Sequence, residues 1–103
     1  MKFSTYFLVI SSLLIFSELK SDELFNQGKQ VFLNAGNCAT CHSLKDAGSV
    51  ANIGPNLNEI RPVIERVQAA VLNGIGVMPA YQDILSSEEI KAVAYYVSES
   101  VNN

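Results

Sequence analysis

Cys38-Ala39-Thr40-Cys41-His42 constrains this chain more than any other stretch. Two thiols three positions apart, with a histidine directly behind them, form the pattern that fixes a c-type haem. Each cysteine adds across one porphyrin vinyl group to make a thioether, and His42 is then held beneath the iron as proximal ligand. A short chain carrying such a group must wrap it, so the porphyrin is expected to be part of the core.

Other uses of the motif fit less well. A C-x-x-C thiol–disulfide centre expects a strand leading into it within a βαβ unit, whereas residues 30–37 read as the end of a helix. A structural zinc site needs about four protein ligands, and the chain holds two cysteines and one histidine in all. A disulfide across so tight a loop would constrain little and would leave His42 unexplained.

The first twenty residues carry an address. Met1-Lys2 followed by the mostly apolar run from Phe3 to Phe16 matches the basic and hydrophobic parts of a secretory signal. The run is shorter than the ~20 apolar residues of a membrane span. Residues 1–20 are therefore expected to be a signal peptide cut near Ser17 or Ser21, with an uncleaved anchor as the alternative, and residues 21–103 to be a single domain. Export agrees with the motif, because thioether attachment takes place on the outer side of the energy-transducing membrane or in the equivalent organelle space. From Glu18 onward there are ten acidic against six basic residues, a net of −4, which makes nucleic acid an improbable partner.

Hydrophobic periodicity predicts an all-α domain. Leu24, Gly28, Val31, Phe32 and Ala35 recur at helical spacing from Ser21 to Ala35, with Ser21 as cap and Gly36 as stop. Val63, Ile64, Val67, Ala70 and Val71 form a second stripe from Pro62, at the first helical position, to Asn73 ahead of Gly74. A third helix opens with the capping box of Ser86-Ser87-Glu88-Glu89 and presents Ile90, Val93, Ala94, Val97 and Val101 on one face. No segment alternates with period two, so strands are not expected. The segments 43–60 and 74–85 read as loops, where ligands to a cofactor are usually presented.

A six-coordinate iron needs a second axial ligand, and apart from the initiator the chain contains one methionine, Met78. It lies 36 residues after His42, between Gly76 and Pro79, in a loop context and not in a helix stripe. A thioether is a soft neutral donor that favours reduced iron and raises the potential. With His42 and Met78 as the metal ligands, the expected chemistry is electron transfer without substrate turnover.

Taken together, Cys38-Ala39-Thr40-Cys41-His42, Gly54-Pro55-Asn56-Leu57, Asn73-Gly74-Ile75-Gly76-Val77-Met78-Pro79-Ala80-Tyr81 and Ala92-Val93-Ala94-Tyr95-Tyr96-Val97 make the chain resemble the class I c-type cytochromes, of the small soluble bacterial, cytochrome c6-like kind. The resemblance covers roughly Leu24 to Val101. It implies the small cytochrome c fold, three main helices plus short helical turns around one haem c bound through Cys38 and Cys41. It further implies that the Pro55 carbonyl accepts a hydrogen bond from the His42 ring, that Leu57 packs on the haem face, and that Gly28 and Phe32 meet Tyr96. Tyr81, Arg61 and Arg66 are candidates for the propionates or the haem edge, with ordinary packing as the alternative.

The expected function is that of a monomeric, non-enzymatic single-electron carrier in the periplasm, or in an equivalent space such as the thylakoid lumen, with at most loose membrane association. Its partners would be redox proteins: a membrane cytochrome complex, a terminal oxidase, a photosystem or reaction centre, or a periplasmic dehydrogenase. The uncharged stretch Gly74–Tyr81 is the candidate docking patch. A haem c subunit held permanently in a periplasmic dehydrogenase complex is the alternative, and a gas or redox sensor would require that Met78 be displaced readily.

Overall fold

The computed structural model describes residues 20–103; the expected signal peptide lies, but for Lys20, outside the described residues. Helix α1 covers residues 20–30 and continues into a π-helical turn at Val31–Ala35. A 3-10 turn follows at Cys38–Thr40, then two short strands, β1 (Ser43–Leu44) and β2 (Ser49–Val50), then helices α2 (Leu57–Ile60), α3 (Ile64–Asn73) and α4 (Ser87–Asn102). Among the described residues no helix is long and apolar enough to cross a membrane.

Three local expectations are corrected, and the end of α1, which falls at Gly36 as expected, is refined. Lys20 is already helical, so Ser21 lies within α1 and does not cap it. The end of α1 is π-helical: the Gly36 N–H donates to the Val31 carbonyl at 2.7 Å, five residues back, which widens the last turn. Helix α3 begins at Ile64 and not at Pro62. Arg61 leaves α2 in the left-handed region, Val63 is extended, and the Pro62 carbonyl accepts from Asn102 Nδ2 at 3.1 Å, so Val63 supplies the first helical acceptor. Strands, finally, are present, pairing Ser43 with Val50 and Leu44 with Ser49 around a turn in which Gly48 has φ 68°. A ladder of two residues per strand is too short to leave an alternation in the sequence.

The capping box of α4 forms as the residues require: the Glu89 N–H donates to Ser86 Oγ at 3.1 Å and the Ser86 N–H to Glu89 Oε1 at 2.9 Å. Its apolar stripe, Ile90, Val93, Ala94, Val97 and Val101, is buried throughout, against Val67 and Val71 of α3 and Val31 and Phe32 of the π-turn. Burying the valine and isoleucine side chains contributes about 1.5–3 kcal/mol each. Helices α1 and α4 cross backbone to backbone at Gly28. A Cβ there would lie 2.5 Å from Tyr96 Cβ and inside the contact distance of the Ala92 carbonyl oxygen. Phe25 and Phe32 then pack edge-on against the Tyr96 ring, with centroids 4.9 and 5.8 Å away.

Candidate functional site

The turn that carries the two cysteines is closed by its own backbone. Asn37 enters it at φ 51°, a left-handed conformation that asparagine tolerates. The N–H groups of Cys41 and His42 then both donate to the Cys38 carbonyl, at 3.1 and 2.9 Å. The spacing of the motif is thereby a single tight turn that sets both thiols on one short segment, with His42 leaving it. Neither thiol is in a disulfide. Burial pushes the Cys38 thiol up to about 11, against the lowering effect of its backbone hydrogen bond and with the help of Cys41. A thiol–disulfide centre needs a stabilised thiolate; Cys38 has the opposite environment, which disfavours that reading.

His42 is oriented by the segment that follows β2. Its Nδ1 lies 2.7 Å from the Pro55 carbonyl oxygen, as the resemblance implied. A carbonyl can only accept, so Nδ1 carries the proton and, in the neutral ring, Nε2 keeps a lone pair for a metal. Gly54 backs the ring: a Cβ there would sit 2.7 Å from Cε1, 2.9 Å from Nδ1 and 3.0 Å from Nε2. The Gly54 N–H also donates to the Cys41 carbonyl at 2.8 Å. Histidine, glycine and proline therefore form one unit in which the ring is oriented by Pro55 and lies close against the Gly54 backbone. The sequence signal for position 54 is a glycine directly before the proline whose carbonyl is used.

Around this unit the loop is tied down by asparagines that sequence reasoning passed over. Asn56 caps α2 by accepting from the Asn58 N–H at 3.0 Å, and Asn58 Oδ1 accepts from the Lys45 N–H at 2.7 Å, joining α2 to the β-hairpin. Leu57, the first residue of α2, is buried in the core cluster.

Met78 sits on a separate, equally constrained segment. Gly74 ends α3 at φ 74°, where a Cβ would meet the Met78 carbonyl oxygen at 2.7 Å and the Ala80 nitrogen at 2.8 Å. Ile75 and Met78 exchange backbone hydrogen bonds, 3.1 Å from the Ile75 N–H and 2.9 Å from the Met78 N–H, around a turn with Gly76 at φ 56°. The Met78 side chain is half-buried and packs against the core, while Val77 at the tip of the turn is 94% exposed. The Tyr81 N–H donates to the Val71 carbonyl at 2.8 Å and closes the loop back on α3.

Of the remaining candidates, Tyr81 reaches the segment that carries the cysteines, and Arg61 and Arg66 lie on or beside α2 and α3. Arg61 Nε donates to the Val101 carbonyl at 2.9 Å, at the end of α4 where a cation is favoured by the helix dipole. Arg66 is exposed on α3. The Tyr81 hydroxyl donates to the Gly36 carbonyl at 2.9 Å, and burial raises its ionisation above the usual tyrosine value, with the Cys38 and Cys41 thiols adding to the effect.

These residues fit a porphyrin better than a bare ion. One imidazole has a single nitrogen available, one thioether is half-buried, two thiols lie on a tight turn, and among the described residues no three His, Cys, Asp or Glu side chains are grouped to hold a metal. The segments 30–44, 47–58 and 67–82 carry no charge at all, and they expose Val50, Ile53, Leu72, Ile75 and Val77. Exposed apolar side chains on uncharged segments suit binding, and a flat apolar ring held by Cys38 and Cys41 would cover part of them.

Comparison with known proteins agrees. The family described as "Cytochrome C oxidase, cbb3-type, subunit III" matches residues 23–97. A cytochrome c6 from Cladophora glomerata is 36% identical over 87 residues, covering 79% of this chain and 93% of the relative. A cbb3-type cytochrome c oxidase subunit FixP from Rhizobium meliloti is 35% identical over 79 residues, 72% of this chain and 27% of that longer protein. The crystal structure of the c-type cytochrome SorU from Sinorhizobium meliloti superposes with a TM-score of 0.74 at 49% identity, covering 78% of this chain and 93% of that one.

Proposed function

The chain belongs to the c-type cytochromes, as a small class I, c6-like member with covalent haem c, and on that premise we propose that it is a periplasmic single-electron carrier whose axial ligands are His42 and Met78. Haem c supplies a one-electron iron couple. The chain's own residues do the rest. Cys38 and Cys41 anchor the group through thioethers, Pro55 and Gly54 hold the His42 ring with Nε2 directed away from its hydrogen bond, and Leu57 packs against the porphyrin face.

The hydrogen bond from His42 Nδ1 to Pro55 carries this reading, because it leaves one ring nitrogen for iron and fixes the ring's orientation. With His42 and Met78 both holding the iron, no coordination site would be left for a substrate, so the protein would move electrons and make no bonds. Residues 1–20 act as the export signal or as an anchor, and residues 21–103 form the cytochrome domain. The exposed Ile75 and Val77, on a segment without charge, form the docking patch for redox partners, where small transient interfaces favour rapid dissociation. The same exposed apolar residues suit a permanent catalytic partner, the rival reading, and co-purification with a second protein would decide for it.

The test is the absorption spectrum of the oxidised and reduced holoprotein, with carbon monoxide added to the reduced form. A methionine-to-iron charge-transfer band without rapid carbon monoxide binding is expected. A missing band with immediate binding would remove Met78 from the site and with it the carrier reading.

A further inference from the structure

We infer that Tyr81 is a positioning residue: its hydroxyl straps the Met78 segment to the segment that carries the cysteines, and so keeps the Met78 thioether from swinging away. The inference deepens the carrier reading and rests on Met78 as second axial ligand.

Tyr81 is pinned at both ends. Its main-chain N–H is bound to Val71 at the end of α3, and its hydroxyl crosses 45 positions of sequence to the Gly36 carbonyl, two residues ahead of Cys38. The acceptor exists because of the local fold. A helix end leaves its last carbonyls without intrahelical partners; the π-helical turn ends at Ala35, Gly36 caps it and is buried, and the Tyr81 hydroxyl satisfies the Gly36 carbonyl. Gly36 is itself close to the attachment site, since a Cβ there would lie 3.1 Å from Cys38 Sγ.

Among the described residues, this is the one hydrogen bond that joins residues 74–85 to residues 31–42. Upstream of Met78, the turn is fixed to itself through the Ile75 pairing and to α3 through the Gly74 N–H, which donates to the Ala70 carbonyl at 2.8 Å, but not to the cysteine segment. Downstream, Tyr81 is three residues away and carries the cross-link. If the hydroxyl is removed, the Met78 turn keeps its own shape but loses its tether to the cysteine segment, so it can move as a unit.

The experiment uses the holoprotein and Tyr81→Phe, which keeps the ring and removes the donor. The readouts are the rate of carbon monoxide binding to the reduced form at low carbon monoxide, where it is proportional to the Met78-off population, and the temperature at which the charge-transfer band is lost, compared with the far-ultraviolet unfolding midpoint. Losing one neutral hydrogen bond corresponds to about a fivefold rise in the Met78-off population. We expect carbon monoxide binding about fivefold faster, with the band lost at a lower temperature while global unfolding shifts less. Asn102→Ala serves as the structural reference: it removes a hydrogen bond to Pro62 far from the Met78 segment and is expected to lower global stability without changing the carbon monoxide rate. Met78→Ala separates the two claims. If it keeps the band, the ligand assignment falls, and the strap with it. If it loses the band but Tyr81→Phe binds carbon monoxide at the wild-type rate, the strap alone is overturned. Equal acceleration in Tyr81→Phe and Asn102→Ala would also overturn it, by showing a loss of general stability only.

Discussion

Replacing Gly28 by alanine sets two physical effects against each other, and the structure decides which wins. Helix propensity favours alanine over an interior glycine by about 1 kcal/mol, so from local considerations the variant should be more stable. The added methyl, however, would lie 2.5 Å from Tyr96 Cβ and 2.7 Å from the Ala92 carbonyl carbon. Ordinary carbon–carbon contact begins near ~3.5 Å, so α1 and α4 must separate by about 1 Å. Both obstacles sit on or next to the backbone of α4 and cannot rotate aside. Separation of that size forfeits between a quarter and a half of each dispersion contact across the crossing, and it loosens the edge-on packing of Phe25 and Phe32 on Tyr96. Overpacking of rigid surroundings costs up to about 3 kcal/mol, which leaves a net loss of about 2 kcal/mol after the propensity gain. In a domain of this size that corresponds to a midpoint lower by about 8–16 °C. Thermal unfolding of the holoprotein, followed by far-ultraviolet circular dichroism, measures it. Asn26→Ala, on the exposed side of the same helix, reports the propensity effect alone and should raise the midpoint slightly. A Gly28→Ala protein as stable as wild type or more so would refute the reasoning, because it would mean that the helix crossing has room.

Gly54→Ala should displace the His42 ring, since the new Cβ would fall within 3.0 Å of three ring atoms; the measurable result is a shifted reduction potential with global stability changed less, and an unchanged potential would show that the ring does not rest on position 54. Tyr96→Phe removes the bond from the buried Tyr96 hydroxyl to Asp46 Oδ2, 2.7 Å long, and should cost about 1 kcal/mol in urea unfolding at neutral pH; Asp46 is 38% exposed and keeps Lys29 at 3.3 Å, so it is not stranded. Burial, and then the Asp46 contact, raise the Tyr96 ionisation above its ordinary value of 10.0. The folded protein therefore holds that proton where the unfolded chain releases it, and the associated stability is complete below about pH 10 and lost as pH rises beyond it. Wild type should lose stability above pH 10 more steeply than Tyr96→Phe, and parallel pH profiles would contradict the assignment. Val77→Asp, at a fully exposed tip, should change the rate of electron exchange with a partner protein while leaving the reduction potential within error; an unaltered rate would move the docking patch elsewhere.

Much of this protein was written in short windows of sequence. The attachment motif is a five-residue turn, the Ser86–Glu89 box spans four residues, and the stripe of α4 repeats at helical spacing, so each could be read without knowing what lay across from it. The glycines and proline around Met78 likewise marked a loop, and the structure shows why two of them are needed: Gly74 and Gly76 both have positive φ. The family pattern supplied two longer links, from His42 to Pro55 across 13 positions and from Gly28 and Phe32 to Tyr96.

Tertiary structure alone decided the rest. Tyr81 and Arg61 could be named as candidates from sequence, whereas their partners, the Gly36 and Val101 carbonyls 45 and 40 positions away, could not. Those carbonyls become acceptors only because a π-turn and a helix end leave them unpaired at that point in space. Likewise, Asn102 meets the Pro62 carbonyl ahead of α3 from 40 positions away. Local signals arise from residues one helical turn apart, where the geometry is fixed by the backbone itself. Which donor meets which distant carbonyl depends on the register of two separately formed elements, and that register exists only once the core has packed.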